Sequence, residues 1–126
     1  MLVLNNHSYN KNQILKLTDP ETHQIVNQAL QDIYDDYGLD FTSDRKLFVD
    51  LAIHVQALRD GIVATHIQHH MVGNTLKKQF PYLGDVAYGL RHRIEEYCNM
   101  SLGSSEESYL LPYLISAEET KYDNAR

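Results

Sequence analysis

Apolar residues recur along this chain at intervals of three and four positions, which is the period of one face of an α-helix. Five such stripes follow one another between residues 18 and 120, and short segments rich in turn-forming residues separate them. Short connections of this kind place successive amphipathic helices side by side. The pattern therefore predicts a single all-α domain, a five-helix bundle, over residues 18–120.

Capping signals set the limits of the first two helices. We expect the first helix to begin at Thr18 or Asp19, within a Thr-x-x-Glu capping box, and to end at Gly38. Ser43 is the predicted N-cap of the second helix. Asp44 then lies in the first turn, where the helix dipole favours a carboxylate.

Three further stripes complete the predicted bundle. A less regular stripe spans residues 66–80, and a clear one spans residues 82–97. The last helix is predicted to begin at a second capping box, in which Ser104 and Glu107 satisfy each other's backbone N–H groups. It contains Pro112, which removes one backbone hydrogen bond and is expected to kink the helix axis.

The composition fits one domain and argues against several classes of protein. The chain has 126 residues, 43% of them hydrophobic, and a net charge of −6 that disfavours direct binding of nucleic acid. No apolar run reaches the length of about 18 residues that a membrane span needs, and the first residues lack the features of a signal peptide. The single cysteine, Cys98, suits a reducing compartment, so we expect a cytoplasmic protein.

The two ends of the chain show no clear periodicity. Residues 1–17 are predicted to form an N-terminal arm or linker, and residues 121–126 a polar tail.

Motifs of catalysis are missing from the sequence. It has no GxSxG elbow, P-loop or dinucleotide fingerprint, so we expect neither enzyme activity nor a cofactor. His66, His69 and His70 share one helical turn and could supply metal ligands. A polar or pH-sensitive helix face explains the same spacing, and no metal is predicted.

Two small groups of basic residues interrupt the otherwise acidic chain, at Lys77-Lys78 and at Arg91-His92-Arg93. They are too few to form a nucleic-acid groove. They are explained either as solvated helix surface or as contacts for an acidic protein patch or a phosphoryl group.

His54 is a polar residue on the apolar stripe of the second helix, three residues after Leu51 and four before Leu58. An imidazole at this position has two explanations. It is a core-edge histidine satisfied by one hydrogen bond, or it is a site of chemistry.

Three stretches bear on this choice: YGLDFTSDRKLFVDLAIHV at 37–55, LKKQFP at 76–81 and ESYLLPYL at 107–114. Together they resemble the bacterial PTS regulation domain (PRD). That family has an acidic turn before a helix with a phosphorylatable histidine, then an Ile-Lys-x-x-Tyr-Pro segment, then a Glu-x-x-Tyr-Leu-x-Leu-His-Ile run. The resemblance covers roughly residues 20–120 and implies a PRD-type five-helix bundle in which His54 is the phosphoacceptor.

The chain departs from the family pattern at two positions. Tyr113 occupies the place of a second phosphorylatable histidine, so regulation through two histidines is not available. Gly61 stands where the family usually has an arginine, although Arg59 is nearby.

The resemblance also implies a function and partners. The phosphocarrier HPr, or an enzyme II component of the sugar phosphotransferase system, is expected to donate a phosphoryl group to His54. The added charge would change packing at a homodimer interface or attract Arg91 or Arg93, and an attached transcription regulator or antiterminator would respond. The alternatives are a helical dimerisation module that is not phosphorylated and, on the three clustered histidines, a helical metal-binding protein.

Overall fold

The structure, a computed structural model, describes residues 18–61 and 75–124, and no strand occurs in these ranges. The all-α prediction is confirmed for this part of the chain. Residues 75–79 are helical and are the end of the predicted third helix; the rest of that helix and residues 1–17 lie outside the described residues. Four long helices account for most of the remainder: α1 (Pro20–Tyr37), α2 (Arg45–Arg59), α3 (Pro81–Cys98) and α4 (Ser105–Asn124).

The four long helices form a bundle in which α1 and α4 each pack against both α2 and α3. All four pairings are antiparallel. The end of α2 meets the start of α1, for example, because Arg59 donates a hydrogen bond to Asp19 over 2.7 Å. The end of α4 likewise meets the start of α2, because Lys121 donates to the backbone oxygen of Asp40 over 3.0 Å. It follows that α2 and α3 run in the same direction on opposite corners of the bundle.

The core lies between these helices and matches the predicted apolar stripes. Burial of these side chains is the main favourable contribution to stability in a bundle of this size. The fully enclosed residues of the core come from all four helices and from the α1–α2 connection, and they include Ile33, Phe41, Ala52, Val55, Val86, Leu90, Leu110 and Leu114.

The N-caps differ in part from the prediction. Asp19, one of the two residues at which α1 was expected to begin, is its N-cap in place of Thr18 of the capping box, and its carboxylate accepts a hydrogen bond from the backbone N–H of Thr22 over 2.8 Å. The N-cap of α2 is Asp44, not Ser43, and its carboxylate accepts from the N–H of Leu47 over 2.9 Å. In each helix two consecutive residues are good caps by type, so the hydrogen bonds of the folded chain decide between them.

The ends of the helices also differ in part from the sequence pattern. Gly38 ends α1 with a left-handed backbone (φ +75°), as predicted, and Gly61 (φ +76°) follows the end of α2 in the same conformation. The last helix continues to Asn124, beyond the last predicted apolar position. Among the described residues, none of the helices has the length and apolar content that crossing a membrane requires.

We predict that Asp44→Ala lowers the free energy of unfolding by about 1 kcal/mol, because the N–H of Leu47 loses its capping carboxylate. Ser43→Ala should change it by less than about 0.3 kcal/mol, and urea denaturation of the two variants makes the comparison. Equal losses in both would show that the cap of α2 is shared, contrary to the structure.

Candidate functional site

His54 lies at the seam between α2 and α4, on the buried stripe where its spacing places it. Only 7% of the residue is exposed. Its Nε2 atom forms a hydrogen bond with Oε1 of Glu106, which is 2% exposed and lies in the first turn of α4. The site is therefore a buried polar contact that joins two helices.

The position of Glu106 has two physical causes. A carboxylate in the first helical turn is favoured by the helix dipole. A buried carboxylate also needs a hydrogen-bond donor, because an unpaired charge in the interior is very costly. An ionised carboxylate can only accept, so with Glu106 ionised the Nε2 atom of His54 carries a proton, and in the neutral ring the lone pair is on Nδ1.

Two tyrosines of α4 extend the site along the seam. The ring of Tyr109 stacks on the imidazole of His54, with centroids 4.1 Å apart and planes at 15°. Tyr113 meets Tyr109 edge-on, with centroids 5.7 Å apart. Burial, then a hydrogen bond with Tyr109, raises the pKa of the Tyr113 hydroxyl above its ordinary value, so it stays protonated. Glu106, Tyr109 and Tyr113 share one face of α4 because they are three and four residues apart.

The structure thus brings His54 and Tyr113 into one cluster. Tyr109 lies between them and contacts both.

The two arginines expected near a phosphoryl group are engaged at a distance from His54. Arg91 donates to Glu107 of α4 over 2.7 Å and to Glu95 of its own helix, α3, over 2.9 Å. Arg93 donates to Asp36 over 2.9 Å, on the α1 side of α3. Neither arginine contacts the imidazole of His54, because α3 occupies the corner of the bundle opposite α2.

Two consecutive glutamates therefore connect the first turn of α4 to different neighbours. Glu106 is bound to α2 through His54. Glu107 is bound to α3 through Arg91, and to the helical stretch 75–79 through Lys77, whose Nζ is 2.7 Å from its carboxylate. Glu107 is consequently not the reciprocal partner of Ser104 that a capping box would need.

The clustered histidines His66, His69 and His70, on which the metal-binding alternative is based, lie outside the described residues. Within residues 18–61 and 75–124, no group of three or more histidine, cysteine, aspartate or glutamate side chains is arranged to hold a metal ion.

Sequence reasoning identified His54 but missed its partner. A histidine on an apolar stripe requires a buried acceptor, and Glu106 was available three residues before Tyr109. Which of the two neighbouring glutamates, Glu106 or Glu107, faces α2 depends on the rotation of α4 about its axis. The sequence pattern does not determine this rotation.

No protein-family model, no curated protein and no solved structure matches the chain. Any functional conclusion must therefore be based on the geometry of the site and on the resemblance of its motifs.

We predict that Glu106→Leu lowers the free energy of unfolding by about 2 kcal/mol, because a buried imidazole N–H loses its acceptor. Adding His54→Leu should recover part of this loss, with a coupling of about 1 kcal/mol between the two positions in a double-mutant cycle. Glu119→Leu, on the exposed face of α4, is the matched control. Additive effects of the two seam substitutions would contradict the contact.

Proposed function

We propose that this chain is a non-enzymatic regulatory domain of PRD type, in which phosphorylation of His54 controls how α2 packs against α4. HPr or an enzyme II component would be the donor, and an attached transcription regulator or antiterminator would be the output. The observation that supports this proposal most strongly is the buried contact between His54 and Glu106 across the α2–α4 seam.

Burial makes the reaction conditional on the conformation of the seam. With 7% of the residue exposed, His54 becomes accessible to a donor protein only when α2 and α4 separate. This pairing is the least extensive of the four between the long helices. Local opening of the smallest helix contact costs less free energy than global unfolding, so we expect this seam, rather than the other three, to open.

Phosphorylation would prevent the seam from closing again. A phosphoryl group adds roughly two negative charges to the imidazole. Those charges would lie beside the carboxylate of Glu106 in an interior where like charges repel strongly. The modified domain would therefore favour a conformation in which α2 and α4 are apart, and the unmodified domain the packed one.

Tyr113, one of the two departures from the family pattern, limits the number of phosphoacceptors in the seam. Tyr113 replaces the second histidine, and its neutral hydroxyl cannot accept a phosphoryl group by imidazole chemistry. A single phosphoacceptor in this cluster would give a simple two-state response.

Dimerisation would connect this change to the output. Ile53 precedes His54 on α2 and is 42% exposed, which is high for a large apolar residue. An exposed apolar side chain beside the seam is the kind of contact that a homodimer interface buries. The same observation favours the second candidate function, a dimerisation module that is never phosphorylated.

The two candidates differ in the outcome of one experiment. We predict that phosphoenolpyruvate, enzyme I and HPr add one acid-labile phosphoryl group to the tryptic peptide of residues 47–59, which contains His54. Hydrogen exchange should then show loss of protection in α2 and α4, whereas protection in α1 and in α3 should stay unchanged. His54→Gln should abolish the labelling of this peptide and reduce the loss of protection, whereas His23→Gln, the matched control on α1, should keep both.

A chain that is a stable dimer in sedimentation and takes up no phosphoryl group at His54 would support the dimerisation module instead. Uptake at His54 without a change in exchange at the seam would leave a phosphoacceptor but contradict the mechanism.

A further inference from the structure

His92 is an exposed histidine on α3 that the mechanism above does not use. Its side chain is 48% exposed, compared with 11% for its neighbour Arg91. The Nδ1 atom lies 3.4 Å from Oε1 of Glu95, and the Nε2 atom lies 3.5 Å from an Nη2 atom of Arg91. The ring of Tyr88 packs against the imidazole with centroids 4.3 Å apart. Three side chains thus orient the ring and leave much of it open to solvent.

The contacts of His92 favour one tautomer of its neutral ring. A hydrogen bond from the backbone of Leu102 lowers the pKa of Glu95, and the charge of Arg91 lowers it further against the effect of burial. The ionised carboxylate favours a proton on Nδ1, so the lone pair of the neutral ring is on Nε2. That nitrogen is beside a guanidinium, a group well suited to bind phosphate oxygens.

His54 and His92 therefore differ in the two properties that matter for accepting a phosphoryl group. The Nε2 atom of His54 is buried and already bonded to Glu106. The Nε2 atom of His92 belongs to a half-exposed side chain and accepts only a long hydrogen bond, 3.5 Å, from Nη2 of Arg91, which would have to release this nitrogen as it binds the phosphoryl oxygens.

We propose that His92 is a second phosphoacceptor of this domain, and that Arg91 binds the incoming phosphoryl group. The donor would have a phosphorus–nitrogen bond, as in a phosphohistidine carrier protein. The choice of a protein as donor rests on the proposed function. No residue other than those around His92 is needed for the transfer.

The transfer is balanced without a further reactant. The Nε2 lone pair of His92 attacks the phosphorus atom of the donor's phosphoimidazolium, and the Nε2–P bond forms as the donor's N–P bond breaks. The electron pair of that bond returns to the donor nitrogen, which leaves as a neutral imidazole. The ring of His92 becomes a phosphoimidazolium whose Nδ1–H faces the carboxylate of Glu95.

Modification at His92 would also affect the buried site. The phosphoryl oxygens would compete for Arg91 with Glu107, which is 2.7 Å from the guanidinium. Glu107 is adjacent in the chain to Glu106, the partner of His54. Loss of the Arg91–Glu107 contact would loosen the first turn of α4, so phosphorylation of His92 would ease the opening of the seam at His54.

The test uses two donors on the full chain: HPr phosphorylated by enzyme I, and phosphoramidate, a small molecule with a phosphorus–nitrogen bond. Peptides should be generated with chymotrypsin, because trypsin cleaves at both arginines that flank His92. We expect an acid-labile phosphoryl group on His92 from both donors, and none on that peptide in His92→Gln. Arg91→Lys should slow the labelling of His92 about tenfold, because one charge-assisted hydrogen bond to the phosphoryl group is lost. Arg93→Lys is the matched control and should leave the rate unchanged.

The other outcomes separate the inference about His92 from the proposed function at His54. Labelling of His54 alone would overturn the inference and leave the proposed function intact. Labelling of His92 by phosphoramidate alone, with the same dependence on Arg91, would support His92 as an acceptor but remove the proposed protein donor. The inference would be overturned if neither donor labelled either histidine. It would also be overturned if His92 were labelled at equal rates in all arginine variants. Circular dichroism of each variant would show that it is folded.

Discussion

The buried hydrogen bond between His54 and Glu106 constrains the rotation of α4 against α2. Burying a carboxylate and an imidazole is costly, and the cost is offset only while the two groups remain paired. A rotation of α4 that moved Glu106 away from His54 would separate the buried imidazole from its carboxylate partner. The rotation seen also places Tyr109 on the imidazole and Tyr113 beside Tyr109, so the whole cluster follows from one contact.

The same rotation places Glu107 toward α3, where it binds Arg91 and Lys77. The first turn of α4 is thereby connected to α2, α3 and the stretch 75–79 at once. In such an arrangement, a change of charge at one histidine would alter the balance of contacts at the other. This connection is the physical basis on which we propose regulation by phosphorylation.

Much of the fold could be predicted from the sequence, because helix period, capping residues and Gly38 act locally. The apolar stripes gave the helices and most of the core, including the position of His54. The capping signals leave the start of α1 open between Thr18 and Asp19 and place the N-cap of α2 one residue too early, because Thr18 and Ser43 are as suitable by type as the aspartates that follow them. Side-chain partners were harder to predict, since they depend on how helices distant in the chain are rotated. Arg91 was expected to meet a phosphoryl group on His54, but α3 lies on the opposite corner from α2, and the histidine beside Arg91 is His92.

The central claim is that the imidazole of His54 is held by Glu106 inside the bundle. The most direct test is an NMR spectrum of the chain labelled with ¹⁵N-histidine, in which the ring nitrogens of His54 are observed. The account predicts a proton on Nε2 that exchanges slowly with water and shows contacts to the ring protons of Tyr109. A His54 ring whose nitrogens both exchange as rapidly as those of an exposed imidazole would contradict it.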